Sequence, residues 1–139
     1  AFEDSVDFHA AMKAASDSYS SADFAAMRDH CDTYFHLPHR NEPRGTGGIF
    51  YDRFNSGDWE GDFAFTQEVG RQFAEIYPKL VGRRMGRAWN EAEREEQLIQ
   101  RGRYAEFNLV YDRGTQFVLQ SGHDPSAVLM SLPPVAKWP

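Results

Sequence analysis

Phe65, Val69, Phe73, Ile76 and Leu80 recur at i, i+4, i+8, i+11 and i+15. That is the period of one helix face, not of a strand. Asn55-Ser56-Gly57-Asp58 ahead of the stripe reads as a turn and a cap, and Pro78 within it is expected to kink or split the helix. Two helices are expected upstream. One spans residues 4–17, with Asp4 or Ser5 as N-cap and Val6 and His9 on a shared face. The other runs from about Ala22 to Phe35, with Phe24, Met27, Cys31 and Tyr34 as its apolar stripe and Pro38 beyond its end. Asn90-Glu91-Ala92-Glu93 resembles a capping box and opens a charged helix expected to end near Gly102. The period then changes. Residues 104–111 and 116–120 are rich in strand formers and flank the turn Asp112-Arg113-Gly114-Thr115, so 104–120 is predicted as a β-hairpin. Ile49-Phe50-Tyr51 is a further strand start, and Ser126 to Leu132 a short helix closed by Pro133-Pro134. Helices precede the hairpin without βαβ alternation. The expected class is therefore α+β, an antiparallel β-sheet flanked by helices.

At 139 residues the length fits a single domain over 1–139. A net charge of −6 lacks the basic footprint of a general nucleic-acid binder. Eleven phenylalanines supply flat side chains for a core, an interface or a ring-shaped ligand. The single cysteine, Cys31, forbids an internal disulfide and points to a reducing, cytoplasmic setting. No apolar run reaches membrane-span length and no signal peptide is visible. Both ends, Ala-Phe-Glu-Asp and Lys-Trp-Pro, read as cuts through a longer protein.

The stretch from His39 to Asp52 carries the densest chemistry. Arg40 and Arg44 have the fork geometry that grips carboxylates or phosphates, and Gly45, Gly47 and Gly48 allow sharp turns or close approach to a ligand. A tight turn feeding a strand explains the same residues. A nucleotide cradle does not fit, because the segment runs from a helix end into an expected strand and no Lys-Ser/Thr follows. His9, His36 and His39 would hold a divalent metal if brought together; separate histidines satisfied by neighbours are the plainer reading. Asp112 and Arg113 read as a polar turn. Lys79, Arg83, Arg84 and Arg87 read as a solvated helix face, and Cys31 as a buried hydrophobe.

Four stretches, taken in order, resemble the oxygen-dependent coproporphyrinogen III oxidases of haem biosynthesis. They are Cys31 to Phe35 with His39 to Asp52; Arg101 to Tyr104 with Glu106 to Thr115; Leu119-Gln120 with Gly122; and Leu129 to Pro134. The resemblance implies a large antiparallel sheet flanked by helices, a homodimer formed through 104–139, and oxidative decarboxylation of two propionates of coproporphyrinogen III to vinyls, giving protoporphyrinogen IX. Oxygen would be co-substrate, with no organic cofactor. By resemblance His9 and His39 are ligands of a divalent cation, and Gly122, His123 and Asp124 fall on the family's substrate-contacting Gly-Gly-Arg. Asp112 and Arg113 keep the family's pattern and become the substrate-pairing candidates. Val118 stands where the family usually has Gly, and Asp124 replaces an arginine with a carboxylate that repels a propionate. His123 would compensate if protonated.

The family's proton-donating His and its Gly-Gly-Gly-x-Asp-Leu-Thr-Pro segment precede the stretch that matches Phe2, so no catalytic residue is expected here. The chain is expected to be the C-terminal portion of such an enzyme, inactive alone. The alternative is a catalytically inactive module that keeps the dimer surface and a tetrapyrrole or metal site.

Overall fold

Three helices make up the first of two units in the computed structural model, which describes residues 2–139. That unit comprises the residues up to Tyr34 together with Thr46–Ala88. Its helices are α1 (Phe2–Asp17), α2 (Phe24–Tyr34) and α3 (Trp59–Arg84), and α1 packs against both others. Met12 and Ala15 of α1, Met27 and Cys31 of α2, and Phe65 of α3 are buried. The expected stripe of α2 is thus its inward face.

Asp58 N-caps α3 by accepting from the Gly61 amide at 3.1 Å. Buried Asp62 accepts from the Ser56 amide at 2.8 Å and its hydroxyl at 2.6 Å. The preceding turn is therefore tied to the first helical turn. α3 stays one helix through Pro78. Proline leaves the Ala74 carbonyl without its helical donor, but Ala74 and Pro78 are exposed, so water can serve it. α1 starts at Phe2, which places Asp4 in the first turn rather than at the cap. Arg84 donates from Nε to Asp4 at 2.8 Å, and Arg83 pairs with Asp7. These two arginines join helices instead of forming a solvated face.

Residues 49–51 form no strand. The Phe50 amide donates to the Met27 carbonyl at 3.1 Å, and its ring stacks on Tyr34 with centroids 4.8 Å apart. Docking on α2 uses the hydrogen bond a strand partner would have taken. Gly47 has φ +77, and a Cβ there would lie 2.9 Å from Asp32 Oδ1, so this turn requires glycine.

The second unit, Phe35–Gly45 with Trp89–Pro139, holds β1 (His36–Leu37), β2 (Glu42–Pro43), α4 (Glu91–Val110), α5 (Arg113–Gln120) and α6 (Pro125–Leu129). The strands form a two-stranded antiparallel sheet, pairing His36 with Pro43 and Leu37 with Glu42. α4 packs on β1 and α5, and α5 on α6. The capping box is present: Asn90 accepts from the Glu93 amide at 2.9 Å, and the Glu93 carboxylate accepts from the Asn90 amide at 3.0 Å.

The predicted hairpin over 104–120 is instead helical. α4 continues past Gly102 to Val110, and Asp112 then N-caps α5, accepting from the Thr115 amide at 2.7 Å. Ala105 and Phe107 alternate as in a strand, but Leu98, Gly102 and Ala105 are also buried at i, i+4 and i+7. Those three follow the helical period, and α4 runs on through the first expected strand. Beyond α6 the chain lies against α4: the Lys137 amide donates to the Leu98 carbonyl at 3.0 Å. A Cβ on Gly102 would collide with the Lys137 carbonyl oxygen. The chain is mostly helical with this small antiparallel sheet, the coarse form of the α+β expectation.

Candidate functional site

Four residues link β1 to β2, and the turn is closed by the Arg40 amide donating to the Leu37 carbonyl at 3.1 Å. Asn41 takes φ +53, a left-handed position that asparagine tolerates better than most residues. The turn presents His39 and Arg40 to one face of α4. Arg103, Glu106, Phe107 and Tyr111 share that face at three- and four-residue spacing.

Arg40 grips Glu106 with two hydrogen bonds, Nε to Oε2 at 2.6 Å and Nη2 to Oε1 at 2.5 Å. The Glu106 side chain is only 13% exposed, so solvent screens this pair less than a surface one. The Arg40 hydrogen bonds hold the Glu106 carboxyl below its ordinary range, against the upward pull of burial, and the Arg40 charge adds to the effect. His39 Nε2 lies 3.3 Å from Glu106 Oε2, while Nδ1 is hydrogen-bonded to the Tyr111 hydroxyl at 2.8 Å. Both ring nitrogens of His39 thus face a polar group of α4 or its C-cap. The His39 and Tyr111 rings also stack, 5.6 Å apart. Arg103 donates to Glu42, tying β2 to the same helix.

Arg44 takes a different position. Its guanidinium carbon sits 3.9 Å from the centroid of Phe35, 4.9 Å from Tyr104 and 5.1 Å from Phe107. A planar cation in a nest of ring faces is a cation–π arrangement that lysine would reproduce poorly. The two arginines expected to fork onto a ligand therefore anchor the β1–β2 turn on α4.

A groove of about 600 Å³ lies between α5 and α6, lined by Gly114, Thr115, Val118, His123, Asp124 and Val128 among others. Asp112 and Arg113 begin α5 beside it. The Asp112 carboxylate is engaged by Thr115, through the amide and also through the hydroxyl at 2.8 Å. Asp124 caps α6 by accepting from the Ser126 amide at 2.9 Å. Gly122 has φ +77 and makes the turn between the helices.

The family model for coproporphyrinogen III oxidase matches residues 1–139. This chain belongs to the coproporphyrinogen III oxidase family. The oxygen-dependent coproporphyrinogen-III oxidase of Rickettsia bellii is 51% identical over 136 residues, covering 98% of this chain and 49% of that protein. Those of Rickettsia africae and Rickettsia akari are 51% and 52% identical, covering 97% and 94% of this chain and 48% and 47% of theirs. The chain spans about half the length of the curated relatives it matches.

Set against the family's pattern, the structure brings His123 and Asp124 onto one groove wall, with Gly122 in the adjoining turn and Asp112 and Arg113 at the head of α5. His39 lies in the β1–β2 turn. His9 belongs to the first unit, where Nε2 donates to the Thr46 carbonyl at 3.4 Å. Among the described residues no three or more His, Cys, Asp or Glu side chains converge as a metal would require. No chemical step is therefore derived through a metal.

Glu106, Tyr111, Arg103 and Glu42 were not singled out by the sequence. Reading 103–111 with a helical period would have placed Arg103, Glu106, Phe107 and Tyr111 on one face. The apparent hairpin hid that signal.

Proposed function

We propose that this chain is the C-terminal half of an oxygen-dependent coproporphyrinogen III oxidase, which converts two propionates of coproporphyrinogen III to vinyls and yields protoporphyrinogen IX. The family match over residues 1–139, with relatives that carry this name, supports the reading. In the whole protein the β1–β2 pair joins a larger antiparallel sheet flanked by helices, within one coproporphyrinogen oxidase-like domain. Oxygen is the electron acceptor and no organic cofactor takes part. Homodimerisation through 104–139 and residence in the cytoplasm belong to the same reading; the single, buried cysteine Cys31 suits a reducing compartment.

Within it, the α5–α6 groove receives part of the macrocycle. Arg113 meets a propionate, and the apolar wall formed by Val118 and Val128 accepts the ring edge. Binding needs a cation at the carboxylate arm, because an unpaired carboxylate loses its hydration on entry. His9 and His39 are the candidate ligands for a divalent cation, by resemblance alone. Each would first release its present partner, the Thr46 carbonyl or the Tyr111–Glu106 pair.

One observation favours a second reading, a tetrapyrrole-binding or dimerisation module without catalysis. Asp124 lines the groove at a position where, by resemblance, the family carries an arginine. Activity separates the two. The chain joined behind the unmatched half of the Rickettsia bellii protein is expected to form protoporphyrinogen IX in air and not under argon, and the chain alone to form none. A folded, full-length fusion that binds coproporphyrinogen without turnover would establish the module instead.

A further inference from the structure

Helix α3 is apolar on two sides, and only one of them is covered. Phe65, fully buried, and Val69, Ile76 and Leu80, half-buried, lie on the side toward α1. About a quarter turn around the helix, at roughly 100° per residue, runs a second set: Trp59, Phe63, Tyr77 and Val81, continued by Met85 at the C-cap; Phe73, between the two sides, sets its ring edge-on to Phe8 of α1. Each of the set is between 40% and 80% exposed. Aromatic rings pair along the helix at i, i+4. The Trp59 and Phe63 rings stack 6.1 Å apart at 5°, and Phe73 and Tyr77 stack 5.3 Å apart at 10°. The remaining side carries Glu60, Arg71, Glu75 and Lys79 and is an ordinary solvated face. Five large apolar groups exposed on one side of a helix are not the scattered exposure of a monomer surface; such a side marks a contact.

The relatives indicate what covers it. The match uses 98% of this chain but 49% of the Rickettsia bellii protein, so half of that polypeptide has no counterpart here. A segment of the same polypeptide acts at the effective concentration set by its linkage, which favours it over a second copy at ordinary dilution. We propose that the Trp59–Met85 stripe of α3 is the docking surface for the half of the polypeptide that the relatives carry ahead of the matched region. Flat stacked rings along one helix suit an apolar sheet face or helix stripe as the opposing surface. The proposal rests on the relatives' length and the stripe, not on the tetrapyrrole reading.

Cysteine labelling tests it in two proteins: this chain alone, and the same chain behind the unmatched half of the Rickettsia bellii protein. Buried Cys31 (3% exposed) stays unlabelled in native protein. Phe63→Cys and Tyr77→Cys report on the stripe, and Glu75→Cys on the solvated face. In the fusion, maleimide labelling at positions 63 and 77 is expected to slow at least tenfold, with position 75 unchanged. Equal rates at 63 and 77 in both proteins would overturn the proposal. So would protection in the chain alone that rises with its concentration, which assigns the stripe to a second copy. Phe63→Lys gives an independent check should a cysteine variant misfold. It is expected to lower the unfolding midpoint of the fusion and leave that of the chain alone nearly unchanged; equal shifts in both would again contradict the assignment.

Discussion

Arg40 meets Glu106 across 66 residues of sequence with both edges matched, Nε to Oε2 at 2.6 Å and Nη2 to Oε1 at 2.5 Å. The pair fastens the β1–β2 turn to α4 and fixes where His39 lies, because His39 reaches the same carboxylate. Two parallel charge-assisted bonds in a partly desolvated setting are stronger than a surface ion pair. Removing one partner leaves the other unmatched.

A double-mutant cycle reads this coupling. Arg40→Met and Glu106→Gln should each lower the folded-to-unfolded ratio roughly tenfold, and the double variant should lose clearly less than the two combined. Urea unfolding of the four proteins gives the answer. Additive losses would show that the two side chains act independently.

Arg44 makes a separate prediction, because its guanidinium plane lies over Phe35, Tyr104 and Phe107. Arg44→Lys keeps the charge and loses the planar stack, at a cost of about 1 kcal/mol. Raising the salt concentration should change that difference little, since ring-face contacts are screened less than exposed ion pairs. A loss that disappears in high salt would reassign Arg44 to ordinary ion pairing.

Two glycines separate steric need from backbone need. Gly102 has a Cβ position blocked by the Lys137 carbonyl, so Gly102→Ala must displace the segment that follows α6. A loss of about 1–3 kcal/mol is expected from overpacking, with faster proteolysis at Lys137. Gly122 has φ +77 with open space around it. Gly122→Ala should cost about 1 kcal/mol from strain alone and leave Lys137 protected. Thermal unfolding with limited trypsin digestion distinguishes the two.

How far the chain was legible depends on how local each signal was. Asp58 and Asn90 announce their helices because a cap needs only the next few residues, and both form as read. Phe24, Met27 and Cys31 declare their face by period alone. The segment 104–120 misled because Ala105, Phe107 and Leu109 satisfy a two-residue alternation, while the helical period shows only when Leu98, Gly102 and Ala105 are read together. Gly102 is buried under the Lys137 backbone, a contact 35 residues away in sequence that no local reading supplies. Arg40 and Arg44 looked like ligand forks because the sequence does not show that Glu106 and three rings already hold them.

The α1–α3 contact should respond to acid. The Arg84 hydrogen bond, outweighing partial burial, holds the Asp4 carboxyl below its ordinary value of 3.8. A carboxyl whose folded pKa is lowered stabilises the fold above its unfolded pKa, and that contribution is lost as pH falls through the lowered value. Stability should therefore drop as pH falls below about 4, and less steeply in Asp4→Asn. Unfolding midpoints from pH 6 to pH 2.5 test it; parallel curves for the two proteins would remove Asp4 from the acid response.

Recognition of acidic tetrapyrrole arms is tested most directly by titrating coproporphyrin III into the fusion with the Rickettsia bellii half, comparing the parent protein, Arg113→Ala and Arg40→Met. Loss of one charge-assisted contact to a propionate should weaken binding at least tenfold in a folded Arg113→Ala protein. Arg40→Met should lower the unfolding midpoint. Unchanged affinity in a folded Arg113→Ala protein would contradict the assignment of Arg113 to the substrate.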